Sequence, residues 1–447
     1  MPQVTPFRGI GYALDRYGSD VVPDRVRLPD EVAAHPGRVA DLTDLACPPY
    51  DVIGPEQNSA LLARDERNAV RLELSAEGDP HAAARQALDA WLADGTLERR
   101  EEPAAYSYAH ATATDPDDLA VHGVAARVLL EAWGAGIRPH EHTMPGPKAD
   151  RLALLRATGT QLSPILALYF DRSERYRQVL SRSGTDVWRA RDDDGLLHQL
   201  VAIEPDDRLL DYLGGQRLLI ADGHHRYETA LAHQAEVRAD PRVTGAAPGE
   251  LAADWIMMVL VNAELEELQI WPTHRLILDG DPEALRVLAR EPGPVFASSR
   301  MPSAQLTAAL DAHRAGAEPV FGLVLPHDEG RLLVGDADAV ATRMRQEPVS
   351  SAVRQLDLAV LHAAVLQDRL GIGTDALAAG RRVAYTRSSN EALSRVANGE
   401  AQAALLVRPT RLEQLAAVAT AGDVMPQKST YFYPKLLTGL VFNSVED

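Results

Sequence analysis

The sequence predicts a mixed α/β protein of the α+β class, and two patterns support this prediction. Short uninterrupted apolar runs, such as residues 217–221 and 255–262, are typical of buried strands. Apolar residues that recur every three or four positions, such as Ala84, Leu88 and Trp91, are typical of helices. The chain has 447 residues, a length that suggests two or three domains.

The expected elements can be placed in order along the chain. Up to residue 80 we expect irregular structure with one strand, at 68–74. The next part predicts helices at 81–95 and 149–158, a polar loop at 137–148, and strands at 106–109, 121–130, 164–170, 195–204 (a hairpin), 217–221, 255–262 and 268–278. A helix should follow the 217–221 strand and run through residue 237. Beyond residue 280 the pattern predicts helices at 282–290, 303–315 and 351–370, and strands at 320–325, 331–334, 383–386 and 403–407.

Composition and charge argue against several classes of protein. There are 64 acidic and 45 basic residues, so the average surface, with a formal charge of −19, repels DNA. The single cysteine, Cys47, excludes an internal disulfide and a four-cysteine zinc site. Neither a secretion pattern nor a run of about 18 apolar residues is present, so we expect a cytoplasmic protein without a membrane span.

Five consecutive residues after a buried strand form the most informative motif. They are Asp222, Gly223, His224, His225 and Arg226. We expect Asp222 to cap the helix that follows and Gly223 to let the backbone turn. The N–H groups and the positive dipole end of that helix would then face the turn, together with donors suited to phosphate oxygens. The motif therefore predicts a turn that binds an anion, most simply phosphate.

Two other interpretations of this turn remain open. Asp222 could cap the helix while the histidines face solvent, although a cap does not require His-His-Arg beside it. The imidazoles could instead bind a metal. Adjacent histidines point in different directions, however, and no carboxylate stands at ligand spacing on the following helix face. Phosphate is therefore the preferred ligand.

The polar loop at 137–148 carries a second group of reactive side chains. It offers an acid/base pair, a hydroxyl and two cations, namely His140, Glu141, Thr143, Arg138 and Lys148. A histidine and a glutamate beside a hydroxyl are suited to proton abstraction. The alternatives are a solvated polar loop and a metal site formed by His140 and His142.

Three weaker candidates lie elsewhere. Arg71 and Glu73 would point to the same side of the strand at 68–74 and could bind a zwitterionic substrate, or form a cross-strand ion pair. The Pro-Thr-His-Arg sequence at 272–275 interrupts an apolar run, which favours a structural turn over a site. Cys47 precedes two prolines and is interpreted as a packing residue.

Six motifs occur in a fixed order along the chain. They are Pro-Pro-Tyr-Asp-Val-Ile at 48–53, Asn68 with Arg-Leu-Glu at 71–73, His-Glu-x-Thr at 140–143, Ala-Asp-Gly-His-His-Arg-Tyr-Glu at 221–228, Pro-Thr-His-Arg at 272–275 and Lys-Ser-Thr-Tyr-Phe-Tyr-Pro-Lys at 428–435. Together they resemble the bacterial and archaeal family catalogued as domain of unknown function 1015, and the resemblance extends over nearly the whole chain.

The Asp-Gly-His-His-Arg stretch also resembles the nucleotide-binding motif of the ParB/sulfiredoxin superfamily, which includes CTP-hydrolysing partition proteins, sulfiredoxins and free-serine kinases. This resemblance implies a ParB/sulfiredoxin-like core with an N-terminal elaboration at 1–280. The alternation of helices and strands beyond residue 280 predicts a smaller α/β domain at 281–447, and we expect its C-terminal segment to return towards the site.

The resemblance to the kinases implies roles for individual residues. Gly223, His224, His225 and Arg226 would bind the donor phosphates, and Glu141 would take the proton of the acceptor hydroxyl. Candidate substrate-binding residues in this chain are Arg71, Glu73, Arg138, Thr143, Lys428 and Thr430.

Three functions follow as hypotheses. The first is an enzyme that moves a phosphoryl group from ATP or ADP, with Mg²⁺ bridging the phosphates, to a small hydroxylated metabolite such as free serine. The second is a nucleotide-binding regulator associated with DNA in the manner of partition proteins, against which the charge argues. The third is a phosphatase of small phosphorylated metabolites. The acceptor, the nucleotide and the oligomeric state stay open.

Overall fold

The computed structural model describes residues 2–19, 38–75, 78–141, 145–173, 186–204, 206–314, 316–378 and 380–446. The chain divides into two compact units. Unit 1 comprises Met1–Pro139, Thr143–Gln269 and Tyr433–Asp447, and unit 2 comprises His140–His142 and Ile270–Phe432. Helices and strands occur in both, so the predicted mixed α/β class is confirmed.

Unit 1 is built on a large mixed sheet. In spatial order its strands are Gly18–Ser19, Val39–Asp41, Val187–Arg191, Leu197–Ile203, Ala105–Ala111, Leu119–Leu129, Trp255–Asn262, Ile165–Tyr169, Leu218–Asp222 and Ile137–Pro139, and Val4–Thr5 also pairs with Leu119–Leu129. Most neighbours run antiparallel. Three pairs are parallel, namely Val39–Asp41 with Val187–Arg191, Ile165–Tyr169 with Trp255–Asn262, and Leu218–Asp222 with Ile137–Pro139. Two short ribbons pair Ile10–Tyr12 with Leu97–Arg99 and Thr160–Gln161 with Asn443–Ser444.

The helices of unit 1 accompany this sheet. They are the α-helices Leu14–Tyr17, Pro55–Arg64, Val70–Glu73, Pro80–Ala93, Pro145–Thr158, Asp207–Gly214 and His224–Arg238, and the 3₁₀ turns Tyr50–Val52, Pro241–Val243 and Ala252–Asp254. The helix Pro80–Ala93 illustrates how the local sequence favours a helix. Asp79 accepts hydrogen bonds from the backbone at its start, and Leu88 and Trp91 bury one face.

The core of unit 1 lies under the strands that carry the predicted motif. Ile220 in Leu218–Asp222 is fully buried and packs in one cluster with Ile165, Leu260 and Tyr227. Tyr227 stands in the first turns of His224–Arg238, so the same cluster fixes both the strand and the helix. Packing of both the strand and the helix in this cluster therefore fixes the turn between them.

Unit 2 contains a smaller sheet in which every described pair is antiparallel. Its spatial order is Phe296–Pro302, Glu329–Gly335, Val320–Leu325, Ala403–Val407, His274–Ile277 and Val383–Thr386. The short strands Gln269–Trp271 and Tyr431–Tyr433 pair with each other.

The helices of unit 2 include one unusual segment. The ordinary ones are Pro282–Arg290, Leu306–Ala312, Ala337–Met344, Ser351–Arg354, Asp357–Val360, Asp368–Leu370, Thr374–Ala378, Ser389–Ala397 and Leu412–Thr420, with a 3₁₀ turn at Ser303–Gln305. Leu361–Gln367 is a π-helix. Such segments are rare and are frequently found at functional sites.

Two expectations about local structure were wrong. Residues 70–73 form a helical turn, Val70–Glu73, where a strand was expected, and the N-terminal 80 residues contain further strands and helices. The segment at 137–148 is not one loop. Ile137–Pro139 pairs with Leu218–Asp222, and a helix begins at Pro145, where a proline fits the first turn.

None of the helices in the described part of the chain is both long enough and apolar enough to span a bilayer.

Candidate functional site

In unit 1, the turn at residues 222–226 joins the strand Leu218–Asp222 to the helix His224–Arg238. Gly223 occupies the N-cap position with a φ of 96°, a left-handed conformation that strains any residue with a side chain. A Cβ atom at this position would lie 3.0 Å from Ile165 and 3.1 Å from Nε of Arg226. Glycine therefore satisfies both the backbone angle and the close packing.

Asp222 ends the strand and does not cap the helix, so the predicted capping role is wrong. One carboxylate oxygen accepts a hydrogen bond from Arg226 at 2.6 Å, and the other contacts the ammonium of Lys435. These two cations engage both oxygens, which leaves neither for a helix N–H group. Asp222 is thus an anchor for two positive charges.

These three charged groups share a mostly buried environment. The side chains of Asp222, Arg226 and Lys435 are 16%, 12% and 10% exposed. Burial by itself would raise the pKa of the Asp222 carboxyl, but Lys435 and Arg226 outweigh it and hold that pKa well below its usual range. For Arg226, burial alone would lower the pKa, yet the attraction to Asp222 raises it. Asp222 and Arg226 are therefore both charged at neutral pH.

Arg226 also lines a cavity of about 50 Å³ in unit 1, a volume that accommodates a few water molecules or one oxyanion group. Its guanidinium donates a hydrogen bond to the carbonyl of Pro164. Tyr50, Arg151 and Ser163 contribute to the same wall.

Arg151, one of the residues that line the cavity, forms a salt bridge with the buried Glu73. It donates to Glu73 at 2.8 Å, and its guanidinium lies 4.2 Å from the ring centre of Tyr50. Ser163 donates to the other oxygen of Glu73 and lies 2.6 Å from the hydroxyl of Thr438. The polar side chains in the cavity wall are therefore held in fixed positions by their partners, while leucine and isoleucine side chains form much of the rest of the wall.

The two histidines of the turn differ in burial. His224 is 5% exposed, and its charge acts on Asp222, whereas His225 is half-buried. The structure thus brings the side chains of Asp222, His224 and Arg226 close together at the turn that Gly223 makes possible. His225 follows as the second residue of the helix.

Glu73 and Arg71 do not form the expected pair on one side of a strand. Both lie in the helical turn Val70–Glu73, where Arg71 donates to the carbonyl of Leu62 at 2.7 Å. Glu73 instead belongs to the cavity wall through Arg151. The strand expectation was wrong because alternating apolar residues over so few positions also fit a helical turn that is buried on several sides.

Arg138 lies half-buried in the edge strand Ile137–Pro139, opposite Leu219. Lys148 forms a salt bridge with Glu228 on the helix that follows the turn. Thr143 and His142 lie outside the described residues.

The remaining predicted residues lie in unit 2. His140 is 1% exposed, and its Nε2 atom lies 2.6 Å from the hydroxyl of Thr430 and 3.9 Å from the carboxylate of Glu141. One Glu141 oxygen is buried and has no hydrogen-bond partner among the described residues. The backbone carbonyl of Lys428 accepts a hydrogen bond from Arg275 at 3.1 Å. Unit 2 therefore groups His140, Glu141 and Thr430 in one place.

The sequence arguments did not select several residues that the structure places in these groups. Lys435 belongs to the last quoted motif, but nothing local indicates that it reaches Asp222. Arg151, Ser163 and Thr438 carry no motif at all. Arg275 was noted only as part of a turn, and its complete burial was not expected.

Mg²⁺ was expected together with a nucleotide. It prefers carboxylate and water ligands. Asp222 does not fit this requirement, because both of its oxygens already contact cations. In the described part of the chain, no group of three or more His, Cys, Asp or Glu side chains could hold a metal ion. We therefore derive no step through Mg²⁺.

Solved structures with a similar arrangement have low sequence identity. A variant of free serine kinase in complex with AMP is 13% identical, with 66% of this chain and 83% of that chain covered and a TM-score of 0.35. A conserved hypothetical protein from Pyrococcus furiosus is 13% identical, with 67% and 89% covered and a TM-score of 0.34. C-terminally truncated SbnI from Staphylococcus aureus is 12% identical, with 68% and 82% covered and a TM-score of 0.35. No curated protein matches the chain.

One family model matches residues 28–359, which is most of the chain. Its description is "Protein of unknown function (DUF1015)". The predicted family resemblance is thereby confirmed, and this chain belongs to the DUF1015 family.

Proposed function

We propose that this protein binds the phosphate groups of a nucleotide, ATP or ADP, at the turn of residues 222–226 and transfers a phosphoryl group to a small hydroxylated metabolite. The observation that carries the proposal is the position of Arg226, whose mostly buried guanidinium lines the cavity of unit 1 beside the start of a helix. Arg226 and a second cation, Lys435, both contact the carboxylate of Asp222. Arg151, a third cation in this unit, lines the same cavity and pairs with Glu73 and Asp150.

A phosphate group in this cavity would receive charge-assisted hydrogen bonds from a guanidinium that is already held in place. The start of the helix His224–Arg238 adds to the attraction, because a helix N-terminus carries partial positive charge. Arg226 supports this proposal most directly, since it belongs both to the charged group and to the cavity wall.

The proposed reaction breaks the bond between the terminal phosphorus and its bridging oxygen and forms a bond to the acceptor hydroxyl oxygen. Negative charge then develops on the phosphoryl oxygens and on the leaving phosphate, where fixed cations are most effective. The hydroxyl proton needs an acceptor. Glu141 supports that role, because one of its oxygens is buried without a hydrogen-bond partner in the described chain. Free serine is the first acceptor to test.

Nucleotide binding can be tested by thermal unfolding of the full-length protein with ATP, ADP, AMP and inorganic phosphate. A ligand that binds only the folded state raises the melting temperature. We expect ATP or ADP to do so, and Arg226→Lys to reduce the rise, because lysine cannot reproduce the two-pronged guanidinium contacts. Arg156→Lys is the control, since Arg156 pairs with Glu236 at the surface. Equal responses of both variants would contradict the proposed site.

Transfer can be tested with phosphorus-labelled ATP or ADP and serine, and with Glu141→Gln as the variant. The proposal expects label in phosphoserine from the wild type and little from Glu141→Gln, with nucleotide binding retained. Label that reaches only water would favour a phosphatase. Nucleotide binding without any transfer, together with salt-sensitive DNA binding, would favour the regulatory alternative.

A further inference from the structure

Arg275 in unit 2 is a completely buried cation that makes no ion pair within the described part of the chain. Its relative exposure is 0%, and among the described residues no carboxylate oxygen lies within 4.0 Å of it, although Glu141 is near enough to act on its charge. Its terminal nitrogens donate to two backbone carbonyls, those of Thr273 and Lys428, and its Nε atom has no hydrogen-bond partner among the described residues. Burying a guanidinium in this way is unfavourable, so an anion is expected to complete the site.

The surroundings of Arg275 contain further polar atoms that lack partners. Tyr385 is its neighbour on the adjacent strand, with 5.5 Å between the guanidinium and the ring centre. The hydroxyl of Tyr385, the Nε2 atom of His362 and one oxygen of Glu141 are all buried without a hydrogen-bond partner in the described chain. The charge of Arg275 acts on Tyr385 and His362, and Glu141 acts on Arg275. Several buried polar side chains that lack a hydrogen-bond partner within the described chain therefore lie near Arg275.

The backbone at His362 supports a functional interpretation. His362 is the second residue of the π-helix Leu361–Gln367. Burial, and next the charge of Arg275, lowers the pKa of His362 to about 3, so its imidazole is neutral at physiological pH. A neutral imidazole can donate or accept one hydrogen bond without adding charge.

The donors of Arg275 fit a carboxylate better than a phosphate. The unpartnered Nε–H group and a remaining terminal N–H group form an edge with two parallel donors, which matches the two oxygens of a carboxylate. A phosphate dianion would require more than one cation, and the nearby Glu141 carboxylate would oppose its second charge. The Glu141 oxygen that makes no hydrogen bond within the described chain lies 3.9 Å from Nε2 of His140, and it can accept from a hydroxyl or ammonium group of the ligand.

We propose that unit 2 binds a small hydroxy or amino acid, with the ligand carboxylate on Arg275 and Tyr385 and its hydroxyl or ammonium group on Glu141. This site is argued from unit 2 alone and does not depend on the phosphate site of unit 1. If it holds the acceptor of the proposed transfer, that acceptor carries a carboxylate.

The test is calorimetric titration of the full-length protein, without nucleotide, with pairs of compounds that differ in the carboxylate. L-Serine is compared with 2-amino-1,3-propanediol, and D-glycerate with glycerol. We expect binding of at least one acid and none of the matched alcohols. Arg275→Gln should weaken that binding by about tenfold or more, as expected when a charge-assisted hydrogen bond is lost. Arg331→Gln, which removes the partner of Glu329 in the same unit, should not.

Arg275→Gln could also disturb folding, so a second variant keeps the test decisive. Tyr385→Phe removes only a hydroxyl that has no partner, and the unliganded protein should be at least as stable as the wild type. Binding of the acid should nevertheless weaken severalfold. If acids and alcohols bind equally, or neither binds, the proposed carboxylate site is wrong. If Tyr385→Phe destabilises the free protein and leaves acid binding unchanged, its hydroxyl is structural and the proposal fails. If the protein binds the acid as expected but shows no phosphoryl transfer, the result contradicts the proposed function and leaves the carboxylate site supported.

Discussion

Lys435 contacts the carboxylate of Asp222 from 213 positions further along the chain. Arg226, four residues after Asp222, contacts the other oxygen of the same carboxylate. One acid therefore contacts two mostly buried cations beside the start of a helix, and this relationship stabilises the turn.

Asp222→Asn should strongly destabilise the folded protein. It leaves Arg226 and Lys435 without their shared negative charge, and breaking a buried pair in this way costs about 3 kcal/mol or more. The measurement is the free energy of unfolding in a denaturant titration. Asp222→Asn with Lys435→Met should recover part of the loss, because one unmatched cation has been removed.

The same variant provides a second readout. Inorganic phosphate should stabilise Asp222→Asn more than the wild type, because it replaces part of the missing negative charge. A variant that loses less than about 1 kcal/mol and shows no greater response to phosphate would contradict the role given to Asp222.

Gly223→Ala should destabilise the protein and disturb Arg226. Its φ of 96° disfavours a side chain, and the new Cβ would lie 3.0 Å from Ile165. We expect a loss of about 1–2 kcal/mol from the backbone conformation alone, with the contact adding to it. Gly399→Ala is the matched control, since Gly399 has a φ of 75° with nothing within 4 Å. Equal losses at both positions would show that the close packing at Gly223 has no effect.

Glu73→Gln should destabilise unit 1 by about 3 kcal/mol, because it removes the charge that balances the buried Arg151. Asp150→Asn is the control. Asp150 also contacts Arg151, but its side chain is 49% exposed, so its loss should cost less than about 1 kcal/mol. Denaturant titrations of both variants distinguish a buried ion pair from an exposed one. Similar losses would argue against the assigned burial of Glu73.

His110 should make stability depend on pH on the acidic side of neutrality. Burial, and next the neighbouring His198, lowers its pKa from 6.5 to about 3. Below pH 6.5 the unfolded chain therefore takes up a proton that the folded protein does not. Stability due to His110 is present above this pH and falls as the pH decreases towards 3, with a slope of about 1.4 kcal/mol per pH unit.

The pH prediction can be measured between pH 6.5 and 5, where few carboxylates titrate. His110→Gln should reduce the slope of the unfolding free energy in this window, and above pH 7 the slopes of the two proteins should agree. An unchanged slope in the acidic window would show that His110 is protonated in the folded protein.

Local sequence was sufficient for much of the fold. The strands Trp255–Asn262 and Val320–Leu325 and the helix Pro282–Arg290 lie where the apolar pattern predicted them, because each buries one face or one run of its own residues. The strand, glycine and helix around residue 223 were also predicted, since turn chemistry and helix periodicity act over a few residues.

Only the tertiary structure determined which charged side chains contact each other. The sequence determined that Asp222, Gly223 and Arg226 stand at the junction of a strand and a helix. It could not show that Lys435 would contact Asp222 or that Arg275 would be completely buried. Such pairings depend on contacts between residues far apart in the chain, and no local periodicity encodes them. Burial excludes water from these groups and thereby strengthens the electrostatic interactions between them. This burial arises only when the distant segments pack together.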